Sequence, residues 1–155
     1  MEIIGQLLIN LDANSSTVSQ VEVPLQLLIV LGPDLPAEFK KPDPSNKYYQ
    51  IIEWICQQDV LNQWPCIYNH AFALEKYIEM MRNWTFFFEG DQISQMILGV
   101  FFSDKTITNK NPSVVQMTCQ SLNRTYHQRR NDILPNLETL QRIAENSILV
   151  IDHLN

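Results

Sequence analysis

The sequence predicts an α+β domain in which two β-hairpins form a small antiparallel sheet packed with amphipathic helices, in the order ββααββαα. Three observations carry this prediction. The first residues alternate with a period of two, the middle of the chain carries apolar residues at spacings of three and four, and an aromatic-rich stretch from Asn83 to Phe102 is divided by Glu89, Gly90 and Asp91.

Taken in order, "EIIGQLLINL" puts Ile3, Gly5, Leu7, Ile9 and Leu11 on one face, the alternation of a strand. "DANSST" supplies turn residues whose side chains satisfy local backbone groups, and "VEVPLQLLIVL" resumes a branched, apolar, extended pattern, so the two runs read as a hairpin. Pro24 cannot donate to a ladder and places the second strand at an edge or a bulge. Residues 33–46 hold four prolines and little periodicity, which marks a connection. Asp43 or Ser45 then caps a helix with Tyr48, Ile51, Ile52, Ile55 and Val60 near one side. Pro65 closes it and opens another, whose stripe is Ile67, Ala71, Leu74, Ile78 and Met81.

The stretch "NWTFFFEGDQISQMILGVFF" reads as a second hairpin, with strands at Trp84–Phe88 and up to Phe102. A competing reading is a short helix from Asp91, because Ile93, Met96, Ile97 and Val100 have helical spacing. Consecutive strand residues alternate in direction, so Phe86, Phe87 and Phe88 cannot all face one core. Asn111 is the expected cap of a helix that opens on Pro112 and runs to about Asn131. After Pro135 the positions Leu137, Leu140, Ala144, Ile148, Ile151 and Leu154 keep an apolar side. Residues 1–155 form one domain in this reading, with 113–155 as its C-terminal helical region.

Composition narrows the function classes. Of 155 residues 45% are hydrophobic and 18% charged, enough apolar material for a core without cross-links. The longest apolar runs fall well short of the ~20 residues of a membrane helix, and the expected setting is soluble and intracellular, cytoplasmic or nuclear, with no membrane insertion. Four glycines cannot build a phosphate-cradling loop, and neither a G-x-S-x-G elbow nor an H-E-x-x-H pair is present. No cofactor is expected. Cys56, Cys66 and His70, with Cys119 or His127 as a fourth, are the best set for zinc, but they lack paired spacing and read as packed thiols. Glu75 and Glu79 sit a turn apart, close to Lys76 and Arg82, and read as a solvated face.

Charge is unevenly placed. From Asp104 to Arg130 five basic residues face one acid, a local balance of +4, whereas the whole chain carries −6. These readings together predict a non-enzymatic protein-protein interaction module, an adaptor or a subunit of a larger assembly, acting through a protein partner or a homo-oligomer. Its expected contact residues are Phe86, Phe87, Phe88, Arg124, Arg129, Arg130, Ile148 and Ile151. The alternatives are an enzyme or small-ligand binder with an unsigned pocket, and a nucleic-acid-associated factor using Arg124 to Arg130.

Overall fold

A computed structural model describes residues 10–134, together with Gln6, Leu7, Gln141 and Glu145. The described residues contain helices and turns but no strand, so the predicted α+β fold and both its hairpins are corrected to an all-helical architecture. The helices are α1 (Val18–Asp34), α2 (Lys47–Gln57), α3 (Val60–Gln63), α4 (Pro65–Tyr68), α5 (Ala71–Asn83), α6 (Asp91–Met96) and α7 (Pro112–Ile133). Three-residue 3₁₀ turns occupy Ala37–Phe39 and Thr85–Phe87, and a π turn, Ile97–Phe101, continues α6. Most of the first predicted strand and the predicted C-terminal helix, with Ile148 and Ile151, lie outside the described residues.

The segment expected to be the second strand is α1, and its burial shows why. Val21, Leu25, Leu28, Ile29 and Gly32 face inward, at the three- and four-residue steps of a helix. In a run this rich in apolar residues, period two and period 3.6 fit almost equally well, and the 17-residue length is what favours the helix. Thr17 starts it, its N–H donating to Gln20 Oε1 at 2.7 Å. Pro24 and Pro33 both lie within the helix. A proline there deletes the bond to the carbonyl four residues back, which for Pro33 is that of Ile29. Asn83 Nδ2 donates to Ile29 O at 3.1 Å and so fills the vacancy from α5.

Helix α5 is the centre of the molecule and packs between α1 and α7. Its Leu74, Ile78 and Met81 are fully buried, as the expected stripe requires, and Met80 joins them, whereas Ala71 is partly buried and Ile67 lies on α4. Helix α7 begins as predicted, with Asn111 Oδ1 accepting from the Ser113 N–H at 3.0 Å and Pro112 in the first turn. Its inward face is Val114, Thr118, Ser121 and Thr125, small residues that let it lie close to its neighbours. Thr118 settles its hydroxyl on the Val114 carbonyl at 2.8 Å. The cap of α2 is Asn46, accepting from the Tyr48 N–H at 2.9 Å, in place of the expected Asp43 or Ser45; Asp43 instead bonds the Ser45 N–H in the preceding turn.

The aromatic stretch is helical as well. Trp84 and Phe101 are fully buried and Phe87 is 1% exposed, while Phe86, Phe88 and Phe102 are half-buried. In a 3₁₀ turn successive side chains diverge by about 120°, which separates Phe86 from Phe87, and Phe88 follows with extended backbone. Phe87 enters the core against Trp84, ring centroids 5.5 Å apart. The π turn closes with the Phe102 N–H donating to Ile97 O at 3.1 Å, and buried Thr106 donates to the Val100 carbonyl at 2.7 Å. Among the described residues no helix is long and apolar enough to cross a membrane.

Candidate functional site

Between α2 and the α6 π-turn segment lies a cleft of about 350 Å³. Helix α2 contributes Tyr49, Ile52, Glu53 and Cys56, which share one face because their spacings are three, one and three. Tyr77 and Met81 of α5 form the floor with Phe87, and Met96 and Val100 form the far wall. Gln92 and Gln95 stand at the rim opposite Glu53 and Asp59. Asp59 closes one end with a left-handed backbone, φ 47° and ψ 50°, which turns the chain from α2 into α3. Its carboxylate accepts from Asn62 Nδ2 at 2.9 Å. Gly99 lies on the wall of the cleft, and a Cβ there would meet no atom within 4 Å.

The Cys56 thiol and the Tyr77 phenol at the cleft are held in their neutral forms. Cys56 keeps solvent contact at its edge, yet the surrounding protein desolvates the thiol and, with the Glu53 carboxylate nearby, pushes it up to about 12. Burial also raises Tyr77, with further contributions from Cys56 and Asp59. The thiolate is the nucleophile, so the protonated Cys56 thiol, although exposed, is a weak nucleophile at neutral pH. Native Cys56 is expected to react with iodoacetamide at pH 8 roughly a thousandfold more slowly than in the urea-unfolded chain, as mass mapping of the labelled peptides would show; equal rates would contradict this environment. The sign of the linked stability follows. Because the folded chain holds this proton more tightly, Cys56 stabilises it fully below the unfolded thiol value of about 8.5, and that contribution declines as pH rises from there toward 12.

The residues expected from the sequence are dispersed. Phe87 and Phe88 line the cleft, whereas Phe86 turns to a separate pocket with Arg124 and Arg129. Arg129 serves the fold: it donates to the carbonyls of Thr85, at 2.6 Å, and Phe88, and to Asp132 Oδ2 at 2.7 Å. Arg130 is exposed on α7. Among the described residues no three His, Cys, Asp or Glu side chains come together as a metal site, and Cys56, Cys66 and His70 stay apart. Glu79 bridges Lys76 and Arg82 at 3.1 and 3.4 Å, and Glu75 accepts from the Ser113 hydroxyl. Sequence reasoning missed Gln92, Gln95, Tyr77 and Asp59; the helical spacing from Asp91 was the signal that could have placed the first two opposite α2. No family, curated protein or solved structure matches the chain.

Proposed function

We propose that the protein is a non-enzymatic binding module whose cleft receives an apolar side chain of a partner protein, flanked by positive charge. The supporting observation is the cleft itself: an apolar floor of Tyr77, Met81 and Phe87 under a rim of neutral amides and the carboxylates of Glu53 and Asp59. An apolar anchor gains by leaving water there, and a neighbouring Lys or Arg meets the rim's negative charge. The protonated thiol and phenol at its wall are poor nucleophiles and poor bases, which disfavours an enzyme. The size of the cleft also suits a small apolar ligand, and the same test separates the two.

The test uses Gly99→Trp, which extends a large side chain from the wall at an exposed position where the added Cβ is free of contacts. Peptides from a random displayed library, selected on the wild-type protein and counter-selected on Gly99→Trp, are expected to share one large apolar residue next to Lys or Arg. Their affinity, read by fluorescence anisotropy, should fall at least about tenfold in the variant while its thermal unfolding stays close to wild type. Enrichment of no such peptide, or equal binding by both proteins, would sink the reading. A fragment screen that finds cleft ligands where the library finds none would favour the small-ligand alternative.

A further inference from the structure

A second pocket, of about 320 Å³, opens beyond Phe86 on the side of the turn that faces α1 and α7. Lys40, Arg82, Arg124 and Arg129 all line it, and no carboxylate does. The carboxylates behind it are few: Glu79 reaches Arg82 at 3.4 Å but is shared with Lys76, and Asp132 pairs with Arg129 at 2.7 Å. Among the described residues, four cations against two carboxylates leave at least two positive charges unmatched. Such a concentration is unexpected in a chain whose net charge is −6. Among the described residues, neither Lys40 nor Arg124 has an ion-pair partner.

The cations are partly fixed in place. The Arg82 side chain is 13% exposed, and Arg129 is clamped on two backbone carbonyls. Lys40 donates one proton to Pro33 O at 2.8 Å and lies 5.6 Å from the centroid of the Phe86 ring, which leaves its other two N–H groups unused by these contacts. Burial, followed by the charge of Arg124, lowers the pKa of Arg82, and the Glu79 carboxylate offsets only part of this. An anion seated here relieves that repulsion and gains charge-assisted hydrogen bonds from guanidinium groups already held by the fold.

We propose that this pocket is a binding site for a phosphate monoester dianion, held by Lys40, Arg82 and Arg124. Two negative charges match the unmatched pair, and a planar guanidinium fork fits phosphate oxygens. The cavity has room for one phosphate and a small substituent. Nucleic acid would need an extended basic track, whereas the nearby exposed Arg130 does not line this cavity. The pocket is distinct from the cleft between α2 and α6, with which it shares no lining residue.

Calorimetric titration of the full chain with inorganic phosphate, phenyl phosphate and a phosphoserine peptide tests the assignment. Saturable binding of at least one is expected, weakened tenfold or more in Arg124→Glu and in Lys40→Met, and changed less than about twofold in Arg130→Glu. Similar affinity for all three places the recognition in the phosphate group alone, whereas a gain confined to the peptide identifies a phosphorylated protein as the source; either keeps the proposal. Absence of saturable binding to all three, or equal loss in Arg130→Glu and Arg124→Glu, overturns it. So does a single-stranded oligonucleotide that binds far more tightly with a steep salt dependence, which would assign the cations to a polyanion. Thermal unfolding of each variant within a few degrees of wild type excludes misfolding as the cause, because Arg124 and Arg130 are both exposed on α7.

Discussion

Replacing Trp84 by Ala is expected to remove about 3–5 kcal/mol of unfolding free energy. Trp84 is fully buried where α5 ends, stacked on Phe87 and within 6.1 Å of the Tyr48 ring. Its indole N–H donates to Leu28 O at 2.9 Å, so one side chain fills a junction and ties α1 to α5. Urea denaturation measures the loss. Gly32 supplies a sharper test, because a Cβ at that position would lie 3.1 Å from the indole Cε2 and Nε1 and 3.3 Å from the Asn83 carbonyl oxygen. Gly32→Ala is therefore expected to cost about 1–3 kcal/mol in the wild-type background. With Trp84 already truncated the same substitution should become neutral or gain up to ~1 kcal/mol, since Ala favours a helix over Gly. Additive losses would mean that close approach to the indole is not what requires glycine here.

Arg129→Met is expected to cost about 2–4 kcal/mol and to loosen the wall of the cleft. The guanidinium bonds the carbonyls of Thr85 and Phe88 across the 3₁₀ turn and is itself held by Asp132. Its backbone departs from the helix, φ −122° and ψ 23°, at the point where the side chain reaches that turn. Methionine keeps much of the stem but leaves two carbonyls without their charged donor, and hydrogen bonds to a charged group contribute about 1.5–3 kcal/mol apiece. Phe87 and Phe88 line the cleft, so amide exchange in residues 85–88 should accelerate and peptide affinity should fall together. Arg129→Lys should recover only part of the loss, because a single ammonium lacks the planar fork that spans two acceptors. An unchanged denaturation midpoint in Arg129→Met would show that the clip is dispensable.

Much of the helical middle was legible in the residues. The stripe Leu74, Ile78, Met81 and the Asn111-Pro112 start of α7 both appear where local chemistry puts them, because a cap and an amphipathic period depend on neighbours within one or two turns. The first strand pair and the aromatic hairpin were misread for a common reason. Val21 to Leu31 and Ile93 to Phe102 are so apolar that they fit either period, and only the surface each finally covers selects one. The inward face of α7 was hidden for the opposite reason, since Thr118, Ser121 and Thr125 carry hydroxyls and do not register as a hydrophobic stripe.

By itself the sequence determined the Asn111 cap of α7, the central amphipathic helix, the acidic balance with its basic segment, and the lack of the common nucleotide and hydrolase signatures. Only the tertiary structure decided where the charges and aromatics went. Arg124 and Arg129 meet Lys40 and Arg82 from distant parts of the chain, while Phe86 separates from Phe87 and Phe88 into a different cavity. The physical reason is that such juxtapositions depend on packing directions: α1 reaches Trp84 across Gly32, and α7 lies on α5 through small residues. Contacts between positions about 40 to 80 residues apart leave no periodic trace in the chain that makes them.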